Sequence, residues 1–102
     1  MDVKKRKRIE AAGWRTGSTA DFLRLSDAES ALVDIRLSLA GALKTRRQRL
    51  GVTQVTLAKR LRSSQSRVAK MEAGNPAVSF ELLIRALLVL GASRRELSAV
   101  IR

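Results

Sequence analysis

Between Thr53 and Gly74 the apolar positions come in two short bursts at helical spacing, separated by serines. Leu57, Ala58 and Leu61 fall on one face of a helical period, and Thr53 stands where a hydroxyl caps a helix start. Ser63 and Ser64 interrupt the period with cap-competent side chains. Val68 and Met71 then mark the buried face of a second short helix, which Gly74 terminates with Pro76 two residues on. Helices this short cannot bury a core alone, so the pair must rest on flanking helices.

The flanking pattern supplies them. Ser18 to Asp21 predicts the cap of a short helix over 20–25 that buries Phe22 and Leu25. The run Ser26-Asp27-Ala28-Glu29 then reads as a capping box that opens a longer helix from Asp27 to about Leu50, weakened at Gly41. Leu32, Ile35, Leu39 and Leu43 form one apolar stripe on that helix, and Val33, Leu37 and Ala40 lie on another side. Two apolar faces need two partners. One is the core of the short-helix pair; the other is a second protomer, the N-terminal segment or a different protein. Downstream, Ser79 caps a helix to which Phe80, Leu83, Ile84, Leu87, Leu88 and Leu90 bring core side chains, ended by Gly91. Ser93 with Glu96 is a further capping box, opening a last helix whose Leu97, Val100 and Ile101 either dock on the domain or form a dimer surface.

On the second short helix, at about 100° per residue, Ser66 and Lys70 point away from the buried Val68, with Ala69, Ala73 and Arg67 beside them. This leftover face is small, polar and cationic. Small residues permit close approach to a surface, and Gln65, Ser66, Arg67 and Lys70 offer donors suited to bases and phosphates. Such a face suits a helix that enters the major groove of duplex DNA.

The stretch over residues 43–74, LKTRRQRLGVTQVTLAKRLRSSQSRVAKMEAG, closely resembles the Cro-type (xenobiotic-response-element, or XRE) helix-turn-helix family of repressors. The likeness is carried by Gly51, Thr53-Gln54, Leu57-Ala58, Gln65, Val68, Glu72 and Gly74, with Pro76 and the 82–90 apolar run following. The whole chain looks like the small HigA-type antitoxin regulators within that family. The resemblance implies an all-α, lambda-repressor-like five-helix DNA-binding domain over 39–102, with an arm and helical extension over 1–38. It further implies that Gln65, Ser66, Arg67 and Lys70 read bases, and that Gln54, Arg60, Ser64 and Asn75 hold phosphates, Asn75 through loop amides. Gln54 would also buttress Gln65. By the same resemblance Arg47 and Glu72 form a structural ion pair, which assigns Glu72 to the core and not to chemistry. One departure stands out: Arg62 occupies the turn where the family uses Gly or Asn, so the turn is expected either to hold a left-handed arginine at a cost of roughly 1 kcal/mol or to be differently shaped. Ser63, at a position often apolar in the family, should anchor that turn less well.

Charge sharpens this picture. The chain has 102 residues, room for one small domain, with 21 Lys+Arg against 9 Asp+Glu for a net +12. Between Leu39 and Gly74 nine cations face one anion, Glu72. High charge alone would suit a solvated surface, RNA or an anionic membrane; its concentration on a DNA-reading pattern favours duplex DNA. The arm cluster at Lys4–Arg8 either lies along DNA phosphates or solubilises a terminus, and Trp14 is read as a packing tether. The run 86–90 is too short to span a membrane and no secretory leader pattern opens the chain, so a cytoplasmic location is expected. With no His, Cys or Tyr and only scattered carboxylates, enzymatic chemistry, a metal site and a cofactor are not expected.

Two functions follow as expectations. The first is a homodimeric repressor on a palindromic operator with half-sites about 34 Å apart. The second is a protein-binding antitoxin that neutralises a ribonuclease-type toxin through residues 1–38 or the spare face of the long helix. So basic a chain would have to make that toxin contact largely through apolar surface.

Overall fold

The structure, a computed structural model, describes the backbone over residues 19–102 and side chains from Ser26 onward. The basic arm, Trp14 and the expected burial of Phe22 and Leu25 lie outside the described residues. Among the described residues there are five helices and no strand: α1 (Thr19–Arg49), α2 (Gln54–Arg60), α3 (Gln65–Glu72), α4 (Phe80–Val89) and α5 (Arg94–Ile101). The chain divides into two compact units, through Asp34 and from Ile35 on.

The first unit contributes the opening turns of α1. The expected break at Ser26 does not occur; α1 is one helix of 31 residues. A capping-box sequence starts a helix only where the preceding chain leaves helical geometry, and residues 19–25, TADFLRL, free of Gly and Pro, continue it instead. The aliphatic side chains of Leu32 and Val33 are about half exposed.

The second unit is built around a single core. Leu39 and Leu43 of α1, Leu57 of α2, Val68 and Met71 of α3, and Leu83 of α4 are fully buried. Ala40, Ala58, Val78, Ala86, Leu87, Leu90 and Ala92 are buried too. Ile35, Leu61, Phe80, Ile84, Leu97 and Val100 pack partly buried against this core. So α5 docks on the domain through Leu97 and Val100, while Ile101 stays exposed. Leu88, expected in the core, is also exposed, as is Leu37 on the second stripe of α1. A helix as apolar as α4 carries more aliphatic side chains than one inward face can hold, and Leu88 falls outside it.

Helix starts follow the hydroxyl pattern. Thr53, Ser64, Ser79 and Ser93 each accept a hydrogen bond from the backbone amide three residues on. Ser93 and Glu96 complete the reciprocal box. Four helix ends share one hydrogen-bonded closure, in which two amides just past the helix reach back to carbonyls of its last turn. The donors are Gly51 and Val52, Arg62 and Ser63, Gly74 and Asn75, and Gly91 and Ala92. The first donor of each pair takes a positive φ: glycine in three cases, Arg62 at 54° in the fourth. Of the two outcomes expected at the turn, the left-handed arginine is the one present. At Gly74 a Cβ would also lie 2.8 Å from Cδ2 of Leu37, an exposed side chain that would have to turn aside.

Candidate nucleic-acid interface

Helices α2 and α3 are joined by the four residues Leu61, Arg62, Ser63 and Ser64, the length of a helix-turn-helix connection. Val68 and Met71 turn α3 inward. Gln65, Ser66, Arg67, Ala69, Lys70 and Ala73 are all exposed on its other side. Of the expected base-reading residues, Ser66, Arg67 and Lys70 line one groove of about 350 Å³, together with Ser64, Ala77 and Val78. Gln65 is exposed at the first turn of α3, outside that lining. A helix with its side chains, roughly 10–12 Å across, matches a major groove about 12 Å wide.

The expected phosphate-binding residues are placed as follows. Arg60 is exposed in the last turn of α2, where cations also complement the helix dipole. The Ser64 hydroxyl accepts from the Arg67 amide at 3.1 Å as the cap of α3. The Asn75 amide donates to the Lys70 carbonyl, and its side-chain oxygen accepts from the Ala77 amide at 2.8 Å. Those amides of the loop are thus turned into the protein, which leaves the Asn75 side-chain nitrogen as the donor it can offer. Gln54 donates to Oε1 of Glu72 at 3.2 Å, so its amide braces the core carboxylate.

Arg47 and Glu72 meet side by side. Nε of Arg47 donates to Oε2, and Nη2 donates to Oε1 at 2.9 Å; Nη1 donates to the Val52 carbonyl at 2.9 Å. The side chains are 12% and 4% exposed, so the pair is nearly dry. Burial pushes the Glu72 carboxyl up, but hydrogen bonds from Arg47 and Gln54, with the charges of Arg47 and Lys44, outweigh it and hold the group below the ordinary glutamate value. The hydrogen bond to Glu72, opposed by burial and helped by its charge, in turn raises Arg47. This bidentate pair fastens α3 to the end of α1, and so sets the height at which the exposed face of α3 stands.

Two further arginines act as braces that the sequence reading missed. Arg46 donates Nε to the Leu90 carbonyl at 2.9 Å and Nη1 to Glu96, which ties α1 to α4 and α5. Arg36 donates Nη1 to the carbonyls of Asn75 and Val78, and its guanidinium lies 4.5 Å from the centroid of the Phe80 ring. Both sit three residues from a buried leucine of α1, Leu39 or Leu43. A cation at that spacing points inward and requires acceptors, which is the signal that could have found them.

An all-helical body presenting a capped, cationic helix across a four-residue turn defines the helix-turn-helix class of DNA-binding proteins. A family model described as a helix-turn-helix domain matches residues 38–100, and the chain belongs to that family. No curated protein and no solved structure shows significant similarity to it. Among the described residues no helix is long and apolar enough to cross a membrane, and no acidic cluster could hold a metal ion.

Proposed function

We propose that the chain is a sequence-specific transcriptional regulator of the Cro/XRE type, which binds a palindromic operator as a homodimer and represses its own promoter. Residues 39–102 serve as the DNA-binding domain and residues 1–38 as an accessory segment, and the protein works in the cytoplasm. The observation that carries this reading is the exposed row Ser66, Arg67 and Lys70 along one groove of α3. Gln65, Ser66 and Lys70 read base edges; Arg67 reaches a base or a phosphate; Arg60, Gln54, Ser64 and the Asn75 side chain contact the backbone.

The test is selection of duplexes from a random pool, followed by anisotropy titration of the enriched duplex and a scrambled control at several salt concentrations. Enrichment of a two-fold symmetric site, bound more tightly than the scramble, supports the proposal. Equal and steeply salt-dependent binding to both refutes sequence reading.

A second reading is compatible with the first. The half-exposed Leu32 and Val33 favour an apolar protein contact on the first unit, as an antitoxin of the HigA type would make with its toxin. Co-expression with the product of an adjacent short reading frame tests it; absence of a complex on size exclusion sinks it.

A further inference from the structure

We infer that Arg36 is a positioning residue for DNA recognition, acting through the loop between α3 and α4; the inference rests on the DNA-binding reading above. That loop forms the second wall of the recognition groove, with Ala77 and Val78 facing Ser66, Arg67 and Lys70. Its own hydrogen bonds curl it inward: Gly74 donates to Met71, Asn75 to Lys70, and Val78 to Asn75. Besides the burial of Val78 in the core, what ties the curl to α1 is one guanidinium. Arg36 reaches the carbonyls of Asn75 and Val78, the two ends of the curl, and stacks on Phe80, the first residue of α4. Three attachments on one rigid plane leave the loop a single position relative to α3. An arginine suits this better than a lysine, because Nη1 donates to both carbonyls while the flat face of the guanidinium rests on an aromatic ring. Arg36 itself does not line the groove, so its effect on DNA is indirect.

The test compares wild-type protein and Arg36→Met, which keeps the aliphatic stem and removes the donors. Both are titrated with the pool-enriched duplex, well below either melting temperature, and followed by amide hydrogen exchange at Ala77 and Val78. The expected result is about tenfold weaker binding with an unchanged slope against log salt, and faster exchange at both amides. A folded variant that binds as tightly as wild type makes Arg36 merely structural and overturns the inference. A slope shallower by about 0.9 would make it a phosphate contact and overturn it equally. If the wild-type chain enriches no duplex, the DNA-binding reading falls and this inference with it. Should Arg36→Met lose its helical spectrum, Phe80→Leu removes the stacking surface while keeping an apolar side chain against the core, and is read by the same criteria, with a smaller loss expected.

Discussion

At Arg62 the backbone stands at φ 54°, in a closure that the other helix ends make with glycine at φ 68°, 72° and 87°. A side chain in that region costs roughly 1–2 kcal/mol, whereas glycine gives back about 0.5–1 kcal/mol through the freedom of the unfolded chain. The difference favours glycine. Arg62→Gly should raise the melting temperature by about 2–4 °C, and a calorimetric melt that moves downward would mean that the arginine side chain holds something the strain argument omits. Glu72 makes the opposite case, since it is the buried carboxylate that receives three donors. Glu72→Ala leaves Arg47 unpaired in a nearly dry site and should cost about 3 kcal/mol; an unaltered melt would refute the core-pair assignment. The pH dependence follows from the same bonds. With its folded pKa depressed, Glu72 binds protons more readily when unfolded, so its stabilisation is complete above the ordinary glutamate range and is lost as pH falls through and below it. Glu96 moves in the same direction, lowered by the Arg46 hydrogen bond and the Ser93 amide. Acid denaturation followed by circular dichroism should therefore show a shallower acid limb in Glu72→Gln, reduced but not abolished.

Among the elements, α3 separates function from folding most cleanly. Lys70 is exposed and lines the groove, while Val68 and Met71 on the opposite side are fully buried. Lys70→Ala should weaken binding to the enriched duplex by about 1–2 kcal/mol and leave the melting temperature nearly unchanged, since alanine is the better helix former. A large loss of fold would place Lys70 in the structure instead. The same contrast explains what could be read from the chain. The caps at Thr53, Ser64, Ser79 and Ser93 were legible because an N-cap is settled within four residues. So was the buried face of each short helix, whereas Arg62 stood out only through the family resemblance, which places Gly or Asn at that position of the turn. The uninterrupted α1 was not, because the signature that starts a helix is also compatible with continuing one. Nor were the partners of Arg36 and Arg46, which are backbone carbonyls 39 to 44 residues away and one carboxylate 50 residues away.

For the molecule as a whole, net charge overstates what is available to DNA. Of the nine cations between Leu39 and Gly74, Arg47 is committed to Glu72 and Arg46 to Glu96 and the Leu90 carbonyl. Only cations that neutralise phosphates release counterions, and each contributes about 0.9 to the slope of log affinity against log salt. Arg60 is exposed near the turn, and among the described residues no acceptor holds it back from a phosphate. Arg60→Ala should therefore lower the slope by about 0.9, weaken operator and scrambled duplex alike, and leave the melt almost unchanged. Arg46→Met should behave in reverse, with a lowered melting temperature, because α4 and α5 lose their tie to α1, and an unchanged slope. The two variants carry the same change in net charge, so a titration series over several salt concentrations isolates placement from amount. Equal slopes for both would show that the chain binds DNA through its overall field. Different slopes, with the loss confined to Arg60→Ala, would mean that binding follows the geometry in which the fold turns some arginines inward as braces and leaves others beside α3 to meet the duplex.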